Sequence, residues 1–265
     1  MVRNAPSIFK GFACFLFIVL VSSFGCKYAN SNTLPVLEDA GKKLITLQSS
    51  DFIAYSKLLY NQIAFDTANE DQLSYDVFEK AFRGYSFLKH TDELDNDSLL
   101  TVIDFTKHCN TKRMWVLNLR SKKVLYNEIV AHGKNTGNEY AKYFSNKHQS
   151  NKSSLGFYVT GGLYHGRNAL SLKLNGLEQG FNSNAFSRGI VIHGANYISN
   201  EIANRNERVG RSYGCPAVSQ AVNKKLTNTI KGGSCLFIYY PSENYLENSK
   251  LVNANLYLTV EDLSI

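Results

Sequence analysis

Two short segments of this chain bring together residue types that can do nucleophilic chemistry. One is Ile190-Val-Ile-His193-Gly194-Ala195-Asn196, an apolar run delivering a histidine at its end. The other is Gly210-Arg211-Ser212-Tyr213-Gly214-Cys215-Pro216-Ala217, a polar turn ending in a cysteine. The 22 positions between His193 and Cys215 are enough for a loop that returns the histidine to the sulfur. A free thiol is only a few per cent ionised near neutrality, and a neighbouring imidazole raises that fraction. Glycine before the nucleophile lets successive backbone N–H groups turn toward one point, where a developing oxyanion could be held. Pro216 removes a competing donor and stiffens the exit. On residue types alone, a structural cysteine and a structural histidine remain the commoner outcome.

Cysteine arithmetic supports a working thiol. If Cys14 leaves with an export signal and Cys26 carries lipid, Cys109, Cys215 and Cys235 remain. An odd number leaves at least one thiol unpaired, which an oxidising compartment tolerates only if it is buried or has work to do. Cys235 reads as a small core residue, and a Cys109–Cys235 disulfide is left open.

The elements that must position these residues divide in two. Residues 36–90 read as helical, with Leu44, Leu47, Phe52, Tyr55, Leu58, Leu59 and Ile63 near a 3.6 period and Ser49-Ser50-Asp51 at a boundary. Ser74 can cap a second helix whose Val77, Phe78, Ala81, Phe82, Tyr85 and Leu88 fall on one face. From about Leu99 the chain turns to short β-rich runs: 99–105, 114–119, 124–131, 157–160, 170–174, 189–193 and 235–240. One helix candidate, 219–231, interrupts them and stops at Gly232-Gly233, and 255–260 can supply a last strand. Trp115 reads as core.

The arrangement His193-Gly, then Arg211-Ser-Tyr-Gly-Cys-Pro-Ala217, resembles the L,D-transpeptidase catalytic-domain (YkuD-like) family, whose pattern is a His followed after a loop by Ser/Thr-His-Gly-Cys. It is closest in kind to the murein branch, where an aromatic residue replaces the second His and Pro-Ala follows the Cys. Asp104-Phe-Thr, Ala131-His132-Gly133, Phe144-Ser-Asn146, Lys152 to Tyr158, Ser171 to Gly176, Gly180-Phe-Asn182 and Gly232 to Pro241 extend the likeness over about 73–241. Two departures stand out. Tyr213 occupies the place of the second histidine, and Ala217 that of a frequent Arg or Asn.

The resemblance implies an α+β, β-rich L,D-transpeptidase fold with a helical N-terminal extension. It implies a cysteine enzyme acting on peptidoglycan stem peptides, forming a thioester at Cys215 and passing it to an amine to make a 3→3 cross-link. Water as acceptor would make it an L,D-carboxypeptidase or hydrolase. A non-catalytic envelope protein that binds stem peptides is the alternative from another class. His193 matches the general base, its other nitrogen expected on a carbonyl such as that of Gly194. Tyr213, Gly214 and Cys215 match the oxyanion turn, which Ser212 braces. Gly194, Arg211, Arg188, His132, Ser154 and Tyr158 are the substrate-binding candidates, the two arginines as carboxylate clamps. No cofactor is expected. No His-x-His, His-Glu-x-x-His or Cys-x-x-Cys pattern is present, so no metal is expected either.

The N-terminus carries an address. Arg3 and Lys10 precede the ten-residue apolar run Phe12 to Val21, which is too short to span a bilayer core of roughly 30 Å as a helix but right for a signal segment. Ser-Phe-Gly-Cys26 resembles a lipoprotein lipidation box, with Ser23 and Phe24 departing from it; simple cleavage near Gly25 is the other reading. The expected organisation is a signal and lipobox at 1–26, a polar tether at 27–35, a helical extension at 36–98 and a catalytic domain at 99–265. The expected location is the periplasm or cell envelope, with membrane attachment through Cys26.

Composition excludes several other classes. Of 265 residues, 44% are hydrophobic and 19% charged, with only 4 Pro, which rules out a disordered, collagen-like or polytopic membrane chain. The formal charge of +7 falls to +5 without Arg3 and Lys10. A diffuse excess of that size, with no basic run longer than a pair, gives no reason to expect a nucleic-acid partner.

Overall fold

Strands dominate from Asn96 onward, because from there short apolar runs alternate with turn residues and the helical period is lost. The computed structural model describes residues 36–39, 42–46, 49–65, 72–167, 169–206, 208–254 and 257–259. The expected signal segment with Cys26, and the tether at 27–35, lie outside them.

The chain opens with β1 (Val36–Asp39) and β2 (Lys42–Thr46), an antiparallel pair. This corrects the helical reading of residues 36–46, where the few apolar positions fit either period. Two helices follow, α1 (Ser49–Gln62) and α2 (Tyr75–His90). The α2 helix begins as the sequence suggests, with Ser74 in extended conformation and its hydroxyl accepting from the Val77 N–H. Val77, Phe78, Ala81, Phe82, Tyr85 and Leu88 are all buried. On α1, Phe52 and Leu59 are buried, but Leu58, expected inward, is exposed.

The main sheet is built from β3 (Asn96–Asp104), β4 (Lys112–Asn118), β5 (Lys123–Ile129), β6 (Gly156–Gly166), β7 (Ala169–Gly176) and β8 (Val191–Ala195). A short helix α3 (Asn200–Asn206) precedes β9 (Ala217–Ser219), and α4 (Gln220–Ile230) crosses to β10 (Ser234–Tyr239). Then come α5 (Glu243–Asn248) and β11 (Tyr257–Thr259), which joins β1 and β2 in a three-stranded sheet. The eight-stranded order is β5-β4-β3-β10-β6-β7-β8-β9, antiparallel except for β3 with β10 and β8 with β9. This is the α+β, β-rich architecture expected.

Every residue of the central strand β10 is buried, as the apolar run 235–239 requires of a strand covered on both faces. The α2 helix lies against β3 and β10, and α4 against β6 to β9. Contact between α2 and β6 is so close that a Cβ on Gly84 would lie 2.2 Å from the Phe157 ring. The rings of Phe157 and Phe237 stack behind it, 4.2 Å apart. Cys235 sits in this large core, while Cys109 belongs to a separate small cluster with Ala131, Ala195, Val209 and Ala217. Cys109, Cys215 and Cys235 are all free thiols, so the open question of a Cys109–Cys235 bridge is answered against it.

Candidate active site

The two ends of the main sheet meet. Just beyond β5, Ala131 exchanges two hydrogen bonds with Ala217 at the start of β9, at 2.8 and 3.4 Å. One step on, the Ser212 N–H donates to the His132 carbonyl (3.0 Å) and the Lys134 N–H to the Ser212 carbonyl (2.8 Å). Segment 131–134 thus clamps segment 212–217, and Cys215 sits in the resulting seam.

The cysteine turn is held in one shape. The Ser212 hydroxyl accepts from the Gly214 N–H (3.0 Å) and donates to the Cys215 carbonyl (2.6 Å). Gly214 has φ +129°, and a Cβ there would lie 2.9 Å from the Lys152 carbonyl oxygen, so both backbone and space demand glycine. Because its N–H is occupied by Ser212, Gly214 is corrected as an oxyanion donor. The N–H groups of Tyr213 and Cys215 have no partner among the described residues beyond the cysteine's own sulfur. Ser212 therefore braces the turn, and Gly214 shapes it.

The sulfur is half-buried. Its S–H points at the Gly189 carbonyl, 3.6 Å away, and among the described residues it makes no hydrogen bond with the His193 ring. Burial pushes the thiol up from its ordinary range, and the Val191 N–H, the Arg188 guanidinium and the cysteine's own N–H offset this in part. His193 stands on β8, directly opposite Ala217 on β9, two residues from Cys215. Paired strands lie roughly 4.8 Å apart, so the histidine's strand runs beside the chain that leaves the cysteine turn. His193 Nδ1 lies 3.0 Å from the Gly194 carbonyl oxygen. A carbonyl only accepts, so Nδ1 carries the proton and Nε2 keeps its lone pair. Burial holds His193 below the usual imidazole range, and the resting pair is neutral thiol with neutral imidazole.

The remaining candidates fall into two groups. Arg188 and Arg211 are spoken for by backbone. Arg188 donates to the carbonyls of Ser145 (2.7 Å) and Lys152 (2.7 Å) and to the hydroxyls of Ser150 and Ser154. Arg211 donates to the carbonyls of Lys134 and Gly137. Both hold loops against the seam; Arg188 has both terminal nitrogens committed and is corrected as a carboxylate clamp, whereas Arg211 uses only Nη1. His132, Ser154 and Tyr158 are corrected more strongly: each is buried, with at most 1% of its surface exposed. Ser154 and Tyr158 bond to the backbone of Ser145 and Ser154. Gly194 is buried too, its Cα facing Gln220 and Asn223 of α4. Tyr213 is the opposite case, 72% exposed beside the cysteine.

Three further residues hold the site together. The Ser153 hydroxyl accepts from the Gly133 N–H and donates to the Gly214 carbonyl, both at 3.1 Å, linking the two sides of the seam. Thr136 in turn fixes Ser153, accepting its N–H at 2.8 Å. Arg113 is fully buried, with its guanidinium on the Val130 carbonyl and on His132 Nδ1 at 2.9 Å. Because a guanidinium only donates, His132 must carry its proton on Nε2, which faces the Gly137 carbonyl at 3.3 Å. Burial first, then Arg113, depress His132 to about 4. Burial lowers Arg113 itself to about 10. Ser153 was visible in the sequence only as one of two adjacent serines. A single arginine within the apolar run of β4 was the available signal for Arg113. Among the described residues no three His, Cys, Asp or Glu side chains converge as metal ligands would.

Comparison with known proteins gives the following. A family model described as L,D-transpeptidase catalytic domain matches residues 69–239. Among solved structures, the chain is similar to an L,D-transpeptidase from Mycobacterium smegmatis at 12% identity and TM-score 0.34, covering 54% of this chain and 59% of that one. It is similar to an L,D-transpeptidase (Yku) from Stackebrandtia nassauensis at 13% identity and TM-score 0.34, covering 80% and 98%. An Enterococcus faecium L,D-transpeptidase matches at 13% identity and TM-score 0.32, covering 77% and 86%. The chain therefore spans less than two thirds of the Mycobacterium smegmatis protein. No curated protein matches it.

Proposed function

We propose that this chain, which belongs to the L,D-transpeptidase catalytic-domain family, is a cysteine acyltransferase of peptidoglycan stem peptides. The observation that carries the reading is the free, half-buried Cys215 on a glycine-dependent turn, two residues before the register partner of a histidine whose Nδ1–H is engaged by Gly194. That tautomer leaves Nε2 as the base.

In the first half-reaction, Nε2 of His193 takes the thiol proton as Sγ attacks the carbonyl of the third stem residue. The S–C bond forms, and the tetrahedral oxyanion is met by the N–H groups of Tyr213 and Cys215. Collapse breaks the peptide C–N bond, and the imidazolium returns its proton to the departing D-alanine amine. In the second, the side-chain amine of a neighbouring stem attacks the thioester. The C–N bond of a 3→3 cross-link forms, the C–S bond breaks, and the amine proton passes through His193 back to the sulfur. A raised thiol and a lowered imidazole suit this order: the proton moves when substrate arrives, and no thiolate stands exposed to oxidants beforehand. Export to the cell envelope and anchoring through Cys26 are part of the proposal.

The test is mass analysis of disaccharide-tetrapeptides incubated with the protein. New 3→3 dimers and a thioester adduct on Cys215 are expected. Cys215→Ala should abolish both, lowering turnover by a factor on the order of 10⁴ or more. Shortened monomers alone would move the reading to hydrolysis, and full turnover in the alanine variant would end both.

A further inference from the structure

On segments that adjoin the cysteine turn, three lysines lie against exposed aromatic rings. Lys134 Nζ is 4.5 Å from the centroid of Tyr213, two residues before Cys215. Lys152 Nζ is 5.4 Å from Tyr143, and the Lys152 carbonyl faces Gly214. Lys173 Nζ stands between Tyr164 and Phe186, at 5.7 and 6.0 Å. On β7, Lys173 is in register with Val191, whose N–H is directed at the Cys215 sulfur. Phe186 belongs to the turn that places the Gly189 carbonyl against the thiol, its own carbonyl accepting from the Gly189 N–H.

A lysine laid on a ring is not peculiar to this region, since Lys57 of α1 lies 4.1 Å from the Tyr75 centroid; what sets these three apart is that the segments carrying them adjoin the cysteine turn. Lys80 pairs with Asp76 and Lys89 with Asp97, whereas among the described residues Lys134, Lys152 and Lys173 have no carboxylate partner. An ammonium over an exposed ring gains little by itself. The ring also restrains a flexible stem, so less freedom is lost when an anion arrives. Three cations on segments that adjoin the cysteine turn, with no carboxylate partner among the described residues, leave the negative charge to be supplied by whatever approaches it.

We propose that Lys134, Lys152 and Lys173, laid on aromatic rings on segments that adjoin the cysteine turn, form a collar that reads free carboxylates on the molecule reaching the cysteine. The inference rests on the proposed function in one respect: it assigns those carboxylates to the stem peptide. The collar sets specificity for stems with free rather than amidated carboxyl groups, and it acts in binding rather than in bond making.

The experiment compares the full chain with the triple variant Lys134→Gln, Lys152→Gln, Lys173→Gln on stem peptides with free and with amidated carboxyl groups. For the free form, kcat/KM should fall roughly five- to tenfold, the sum of several exposed charge contacts. The loss should lie in KM and vanish at high salt, while the amidated form is unaffected. Equal losses on both stems, or none on either, would overturn the collar. A second readout needs no stem peptide: the rate of Cys215 alkylation by anionic iodoacetate relative to neutral iodoacetamide, read by mass on the Cys215 peptide. That ratio should drop several-fold in the triple variant, and an unchanged ratio would overturn the proposal. If the ratio drops but the unaltered protein turns over neither stem, the proposed function fails while the collar stands.

Discussion

The layer around α2 and the seam around Cys215 are held by opposite means. In the first, ring lies on ring: Phe52 and Phe78 stack on Phe82 at 5.5 and 5.6 Å, and Phe157 on Phe237 at 4.2 Å. Its hydroxyls are unevenly used: Tyr60 and Tyr85 donate to the Leu73 and Asp97 carbonyls, whereas the buried Ser86 Oγ has no partner among the described residues. In the seam the connecting contacts are polar, with Ser212, Ser153, Thr136, His132 and Arg113 joining four short segments. Apolar burial is non-directional and tolerates small shifts, whereas hydrogen bonds fix distance and angle. The molecule uses the first kind of contact for stability and the second where a sulfur must be aimed.

If that contrast holds, the two regions break differently. The largest effect is expected from His193→Ala, which should lower turnover by a factor on the order of 10²–10⁴ at neutral pH while leaving thermal stability nearly unchanged. A kinetic assay beside a melting curve checks both, and unchanged turnover would reject His193 as the base.

Acid should weaken the seam before the aromatic layer. His132 is held at about 4 in the fold against an unfolded value near 6.5. Between those values the unfolded chain binds the extra proton, so the neutral ring's stabilisation is present above about 6.5 and lost as pH falls toward 4. The integral is on the order of 3 kcal/mol. Glu178 is buried, accepting from the Phe157 N–H and the Tyr245 hydroxyl, and its carboxyl is raised by burial. Its contribution has the opposite sign, falling as pH rises, so the measurement is the difference between urea-unfolding profiles of the native chain and His132→Gln. A difference that does not vary with pH would sink the assignment.

The smallest effect should come from Gly84→Ala. The added methyl must displace the Phe157 ring, a cost that better helix propensity offsets in part, leaving about 1–2 kcal/mol of destabilisation. Activity per folded molecule should not change. A fall in kcat would mean that strain in the aromatic layer reaches the seam, and the contrast between the regions would be too sharp.

Much of the frame was legible in the chain. The Ser74 cap, the inward face of α2, most strand positions and Gly232-Gly233 after α4 follow from period, capping chemistry and turn residues, all local properties. The expectation failed at 36–46, where too few apolar residues distinguish the two periods. The β6 and β7 strands also run further than their apolar cores, because cross-strand pairing extends into polar residues such as His165. The site was legible in its reacting atoms and not in its supports. Cysteine, histidine and the glycine between Tyr213 and the nucleophile are marked by residue type. Substrate contacts guessed from nearby residues were wrong where the side chain turned out buried, as for His132, Ser154 and Tyr158.

By itself the sequence determined which residues carry reactive groups, which segments form helix or strand, and that an odd number of cysteines leaves a thiol free. Only the tertiary structure decided that the sheet's two ends meet at Ala131 and Ala217, that Ser153 rather than Ser154 ties them together, and that Arg113 sets the tautomer of His132. Those outcomes depend on pairings between residues far apart in the chain. Burial and hydrogen-bond direction come from the partner, and no local pattern encodes which partner arrives.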